Sequence, residues 1–416
     1  MKCEFAAIIT LCIVRCCRFG FRYFPVIDDW IQYISYQSAP DLFNRWFIGA
    51  GLYYTRPLAA LMDLYVWGKI GVTWSFFIIT LLHGVSCCLF LYVFRQRGIR
   101  AGLGFTVIYM LLPINTEGTM WLSASTRIVF SLFLISVSLL FLEKHKILFW
   151  LFNLISLFFY EQTAILSLAI SLYFAHRERV KIIPLINGLI FALYYMLFSG
   201  AGPFGGRSTI VFPNTMRLYN FFANFAEGFF IKHGQLIVNG ALRGFQIFRE
   251  NYFLYVIAVI LGIWVVLTAK RENGRGSIFL GIVLFTLPLL PYLFISQPFS
   301  FRAFMPSLVG LGIMTDGLLK SHNIKAVLSM FVIPIFLAVG ISELTDYRSV
   351  SIADKKMAEA IIYDDAKSFK RVESAVELNV LYMQHITNVS ESDWAMTGCV
   401  RALTENPDYP MLICEE

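Results

Sequence analysis

Asp28 and Asp29 stand side by side in Pro25-Val26-Ile27-Asp28-Asp29-Trp30. Adjacent carboxylates of this kind serve as a general base, as metal ligands or as helix caps. Neighbouring residues project in different directions, extended or helical, so one of the two faces a reaction centre while the other caps or joins a network. We read Asp28 as the base and Asp29 as the capping partner of a segment starting at Trp30, with the reverse assignment open. Asn also caps well, so Asn in place of the capping aspartate is expected to cost little. The pair also offers oxygen ligands of the type that suits Mg²⁺ or Mn²⁺. Arg56, in Tyr54-Thr55-Arg56-Pro57-Leu58, and Arg302, in Ser300-Phe301-Arg302-Ala303-Phe304-Met305-Pro306, carry the planar fork that grips a phosphate. Glu117 and Arg127 flank one turn, and Glu161 lies in Tyr160-Glu161-Gln162. Each has a plainer role available: a solvated cap, a snorkelling arginine, a wet turn. Together they suit a ligand that carries a phosphate and an acceptor that presents a hydroxyl.

The elements that must hold these residues are apolar. Of 416 residues, 58% are hydrophobic and only 15% charged, with a mean hydropathy of +0.67. Soluble domains run near ~45–50% apolar and ~25% charged, so a soluble enzyme, a disordered chain and a protein with a single anchor are all excluded. The hydrophobic runs predict about 11 transmembrane helices, at 4–21, 74–94, 102–114, 127–142, 147–160, 162–175, 182–199, 252–269, 277–295, 303–319 and 326–341. Turns after the even-numbered runs hold the basic residues, among them Arg95, Arg97, Arg100, Lys144, Lys146, Arg177, Lys270 and Lys325. Short positive turns stay cytoplasmic, which places the amino terminus inside. Every candidate site residue then falls at the outer boundary, where a cluster of ionisable groups implies a shared polar cavity.

Span one is interrupted by Arg15, Arg18 and Arg22. Outside lie a first segment (23–73), a long loop (200–251) that ends in an interfacial helix, and a tail (342–416). The expected division is therefore a transmembrane domain over 1–341 and an extracytoplasmic tail over 342–416. The tail holds 14 of the 27 acids and is expected to be a small α/β unit, helical over Ala353–Val380, with a strand at Tyr409–Cys414. Cys399 and Cys414 could pair there. The net charge of +7 comes with no basic run on a polar surface, so nucleic acid is not a partner while membrane lipids are. The six histidines are scattered and no Cys-x-x-Cys occurs.

The order of these elements resembles the GT-C superfamily of integral-membrane glycosyltransferases, over roughly residues 1–340. Asp28-Asp29 after the first span, Thr55-Arg56-Pro57-Leu58 in the same outer segment and Tyr160-Glu161-Gln162 after a short span look most like its serotype-converting (O-antigen) glucosyltransferase branch. The resemblance implies an all-α polytopic membrane fold with amphipathic helices on its outer face. It implies a polyprenyl-phosphate sugar as donor, glucose being the sugar of that branch, and a cell-surface glycan or lipid-linked acceptor. The setting it implies is the extracytoplasmic face of a bacterial plasma membrane, with the base falling on Asp28 or Asp29. Two rivals stand beside it. A lipid or oligosaccharide transporter would place polar residues at mid-membrane, and a polysaccharide polymerase or ligase would concentrate its site in one late outer loop such as 200–251.

Overall fold

A computed structural model of the protein describes residues 2–20, 23–30, 34, 56–177, 182–198, 214–250, 252–268, 278–294, 299–319, 321–370 and 389–415. Thr55, Arg22 and the Arg18 side chain, all noted in the sequence, lie outside the described set, as does most of 31–55. The fold is mostly helical. Its first half runs α1 (Lys2–Phe19), α2 (Pro57–Lys69), α3 (Val72–Gln96), α4 (Leu103–Leu111), α5 (Asn115–Met120), α6 (Leu122–Phe141), α7 (Lys146–Leu157), α8 (Glu161–Arg177) and α9 (Ile182–Phe198). The second half runs α10 (Thr215–Phe225), a π-helical segment (Ala226–Lys232), α11 (His233–Glu250), α12 (Tyr252–Thr268), α13 (Ile278–Thr286), α14 (Pro291–Phe294), α15 (Leu308–Leu318) and α16 (His322–Asp364).

Charge sorts to two ends of this bundle. At one end both Glu4 carboxylate oxygens accept from Arg95, at 2.7 and 2.8 Å, and Arg95 Nε donates to the Ala101 carbonyl. Arg97 pairs with Glu143 at 3.4 Å. Asp316 accepts the backbone N–H groups of Gly102, Gly104 and Phe105 and pairs with Lys325 at 2.9 Å. These are the basic turns of the sequence, and burial explains why their cations found carboxylates. At the opposite end lie residues 23–30, α5, the start of α6, the start of α8 and a 3₁₀ segment, Phe301–Ser307. Between the ends, helices are joined by polar contacts suited to an apolar surround. Asn153 Nδ2 reaches Ser167 and Ser171, and Asn187 donates to Asn153 at 2.7 Å. Gly281 and Gly310 let α13 and α15 approach so closely that a Cβ at either would strike backbone.

Among the described residues three helices are long and apolar enough to cross a membrane: α3, α6 and α16. The sequence led us to expect about eleven spans. Several of those runs instead form shorter apolar helices, such as α7, α8 and α9. The run at 102–114 yields nine-residue α4, and the run at 303–319 is divided between the 3₁₀ segment, which holds Pro306, and α15.

The expected boundary at 341/342 also falls inside an element. α16 runs unbroken for 43 residues, because no glycine or proline interrupts it after Gly340. It stops where Asp365 adopts φ 46° and the Ala366 N–H bonds back to the Ile361 carbonyl. Helix therefore ends at 364, short of the stretch expected to be helical to Val380, of which 371–380 lies outside the described residues. β1 (Ser368–Lys370) follows and pairs in parallel with β2 (Ile413–Glu415), with α17 (Asp393–Thr404) between them in the chain. The tail combines helix and strand as expected, but its second strand is Ile413–Glu415 rather than Tyr409–Cys414, and Cys399 and Cys414 are both free thiols. Residues 214–250, within the segment expected to be a loop ending in an interfacial helix, are helical over nearly their whole length, and their exposed faces carry Met216, Tyr219, Phe222, Phe230, Val238 and Leu242.

Candidate active site

α1 ends at Phe19, and the chain turns through extended residues 23–26 into a 3₁₀ turn, Ile27–Trp30. Asp29 is fully buried in this turn. Its Oδ1 accepts the Ser123 N–H at 2.7 Å. Its Oδ2 accepts the Val26 N–H at 3.0 Å and the Leu122 N–H at 3.3 Å. The Tyr23 hydroxyl lies 3.1 Å from the same oxygen and 2.5 Å from the Met120 carbonyl. Burial raises the carboxyl to about 6, and the N–H donors of Ser123 and Val26 pull the other way. Asp29 thus clamps its own turn to the first residues of α6 rather than capping a helix from Trp30. This corrects the expectation that Asn would serve equally there. An amide in place of Oδ1 would point N–H at the Ser123 N–H, and one in place of Oδ2 would meet three donors.

Asp28 projects the other way, with 38% of its side chain exposed and Oδ2 3.8 Å from Arg302 Nη2. The Arg302 guanidinium lies 3.9 Å over the Trp121 ring. Its Nη1 is 3.6 Å from Glu117 Oε1, and the Arg302 backbone N–H donates to Glu117 Oε2 at 3.4 Å. Glu117 is only 5% exposed, so this short helix presents a carboxylate that its neighbours must satisfy. Residues from α5, the 3₁₀ turns and the head of α6 therefore converge on one cation.

A second group adjoins the first. Arg56, just before α2, donates Nε to both Glu161 oxygens at 2.8 and 3.0 Å, and its guanidinium lies 4.7 Å over the Tyr160 ring. Gln162 ties this segment to the first group by donating to the Ala303 carbonyl at 3.1 Å. Tyr160 lies between the two. Burial raises its hydroxyl, while Arg56, Arg302 and Arg127 act in the opposite sense. Arg127, in α6, makes its charge felt at Arg56 as well.

All seven residues singled out in the sequence therefore lie at one end of the bundle. They do not form an open phosphate clamp: Arg56 is engaged by Glu161, and Arg302 by Asp28 and Glu117. Nor do the donors suit a divalent cation. Asp29 spends both oxygens on protein donors, and no group of three or more His, Cys, Asp or Glu residues able to hold a metal occurs among the described residues. The Asp pair, whose oxygens the sequence left open as ligands for Mg²⁺ or Mn²⁺, therefore does not fit such an ion. Sequence reasoning missed Trp121, whose apolar neighbours gave no sign that its face would carry Arg302. It also treated Arg15 only as an interruption of the first helix. The arrangement offers one water-accessible carboxylate beside a cation and an aromatic face, which suits removal of a proton from a hydroxyl. No family model, curated protein or solved structure matches the chain.

Proposed function

We propose that the chain is a multi-pass membrane glycosyltransferase. It moves a hexose from a polyprenyl-phosphate donor to a cell-surface glycan or lipid-linked acceptor on the extracytoplasmic face, with Asp28 as general base. The observation that carries this reading is the division of labour in the Asp pair: Asp29 is consumed by backbone donors, while Asp28 is half-exposed beside Arg302. The base accepts the acceptor hydroxyl proton as that oxygen attacks the anomeric carbon and the lipid phosphate departs. The basic turns at the opposite end support a cytoplasmic amino terminus. The test is sugar transfer from a radiolabelled polyprenyl-phosphate sugar in membranes carrying the wild-type chain or Asp28→Asn. Transfer by the wild type, and its loss in the variant, is the expected result. No transfer by the wild type to any lipid or glycan fraction sinks the reading.

A lipid transporter is the second reading, favoured by one feature. Arg15 and His83 line a cavity in the body of the helix bundle, where a transported amphiphile would pass. Movement of a lipid between leaflets without sugar transfer would select it.

A further inference from the structure

Beside α1 lies a cavity of about 430 Å³, lined chiefly by apolar residues of α1, α4, α11, α12 and α16, such as Leu11, Val14, Met110, Ile257, Phe336 and Leu344. Its polar lining comprises Arg15, Thr80, His83, Asn115, Thr116 and Thr345. Arg15 donates Nη2 to Thr119 Oγ1 at 2.6 Å and lies 5.8 Å over the Phe76 ring. No carboxylate pairs with it among the described residues, and its Nε is buried without a hydrogen-bond partner. Thr80 Oγ1 and the ring nitrogens of His83 are buried too, with only weak contacts, to the Cys16 thiol and the Tyr109 backbone respectively. His83, stacked on Tyr109, lies within electrostatic reach of the Arg15 guanidinium.

A half-buried cation with an idle donor, lining an otherwise apolar cavity, is complementary to an anion that carries an apolar tail. We propose that this cavity seats the single chain of a lipid monophosphate and that Arg15, with His83 and Thr80, holds the phosphate. The occupant is one chain rather than a phospholipid pair, because about 430 Å³ is at the small end of the ~300–1,000 Å³ typical of ligand sites. Arg15 bonds Thr119, and Thr119 shares the six-residue α5 with Glu117, the partner of Arg302. A phosphate held at Arg15 therefore carries its substituent toward Asp28. This deepens the glycosyltransferase reading and rests on it only for what the phosphate carries. It moves the phosphate from Arg56 and Arg302, which already hold carboxylates, to Arg15.

The test is binding of geranylgeranyl phosphate to the full chain in phosphatidylcholine nanodiscs, with geranylgeraniol, inorganic phosphate and phosphatidylglycerol as comparison ligands. Arg15→Met should weaken geranylgeranyl phosphate by about tenfold or more and leave geranylgeraniol little changed. Gly340 lines the cavity and has open space where a Cβ would go, so Gly340→Phe should fold and should weaken both isoprenoids. Unchanged affinity in both variants overturns the proposal, as does phosphatidylglycerol competing as well as the monophosphate. Loss of phosphate-dependent binding in Arg302→Met but not Arg15→Met overturns it too. Sugar transfer measured in parallel separates the two ideas. Arg15-dependent binding without transfer sinks only the enzyme reading, whereas transfer without any Arg15-dependent binding sinks only this one.

Discussion

Asp28 and Asp29 differ by one position and by their whole environment, and substitutions should separate them. Asp28→Asn keeps size and removes the proton acceptor. Transfer should fall by ~10²–10⁴-fold with thermal unfolding unchanged. Asp29→Asn should instead destabilise by about 1–3 kcal/mol, because a buried N–H donor loses its acceptor; unfolding in detergent measures it. An Asp29→Asn variant as stable as wild type would show that the clamp on α6 is dispensable. The Asp29 carboxyl also sets a pH dependence. Its value is raised from 3.8 to about 6, so the folded state binds the extra proton between those limits. Stability from this group is full below ~4 and falls as pH rises through ~6, by roughly 3 kcal/mol for ~2 pH units. Unfolding midpoints between pH 4 and 7 should show this slope in the wild type and lose it in Asp29→Asn. Arg302→Lys should lose at least tenfold of transfer, since an ammonium cannot lie flat on Trp121 while spanning Asp28 and Glu117. Full activity in Arg302→Ala would make it a bystander.

Helices of the tail reach back to the turn that bears the Asp pair. The Ser351 hydroxyl, in α16, donates to the Phe24 carbonyl at 3.2 Å, and Asp354 accepts the Val389 and Ser390 N–H groups. α17 then lies on the turn so tightly that a Cβ at Gly398 would sit 2.7 Å from the Trp30 carbonyl oxygen. Gly398→Ala must therefore push the turn aside. A displacement near 1 Å costs about 10²-fold in a positioned reaction, so transfer should drop sharply while donor binding persists. Unaltered transfer would mean that α17 covers the turn without setting it. The sequence suggested none of this bracing. The apolar pattern of α16 ends near Ile341, which looked like a boundary, yet helix formation needs only the absence of a breaker, and the next stop signal is Asp365.

Across the molecule, what could be read in advance was the sorting of charge. Ionic groups are costly in an apolar surround, so Arg95, Arg97 and Lys325 had to lie together at one end, and Asp28, Glu117 and Arg302 at the other. What could not be read was pairing. Whether Arg56 faces a ligand or Glu161 depends on side chains 105 residues apart, and no local pattern encodes that. For the same reason Arg15 looked like a defect in a helix rather than a lone cation beside a cavity. The proposed orientation has its own test: a periplasmic phosphatase fused at Glu416 should be active and one fused after Arg97 inactive. The reverse pattern would put the Asp28 end on the cytoplasmic side.

The seating of Gly398 on Trp30 also has a meaning in time. The turn leaves the ribosome early, and the helix that packs on it emerges more than 300 residues later, which at ~5–20 residues per second is about 20 seconds to a minute or more. Throughout that interval the face of Trp30 that α17 will cover is bare. On the proposed topology the tail must also be exported before it can dock. A nascent chain then carries the proposed base in an unset turn, and on this reading competence arrives only once α17 has docked.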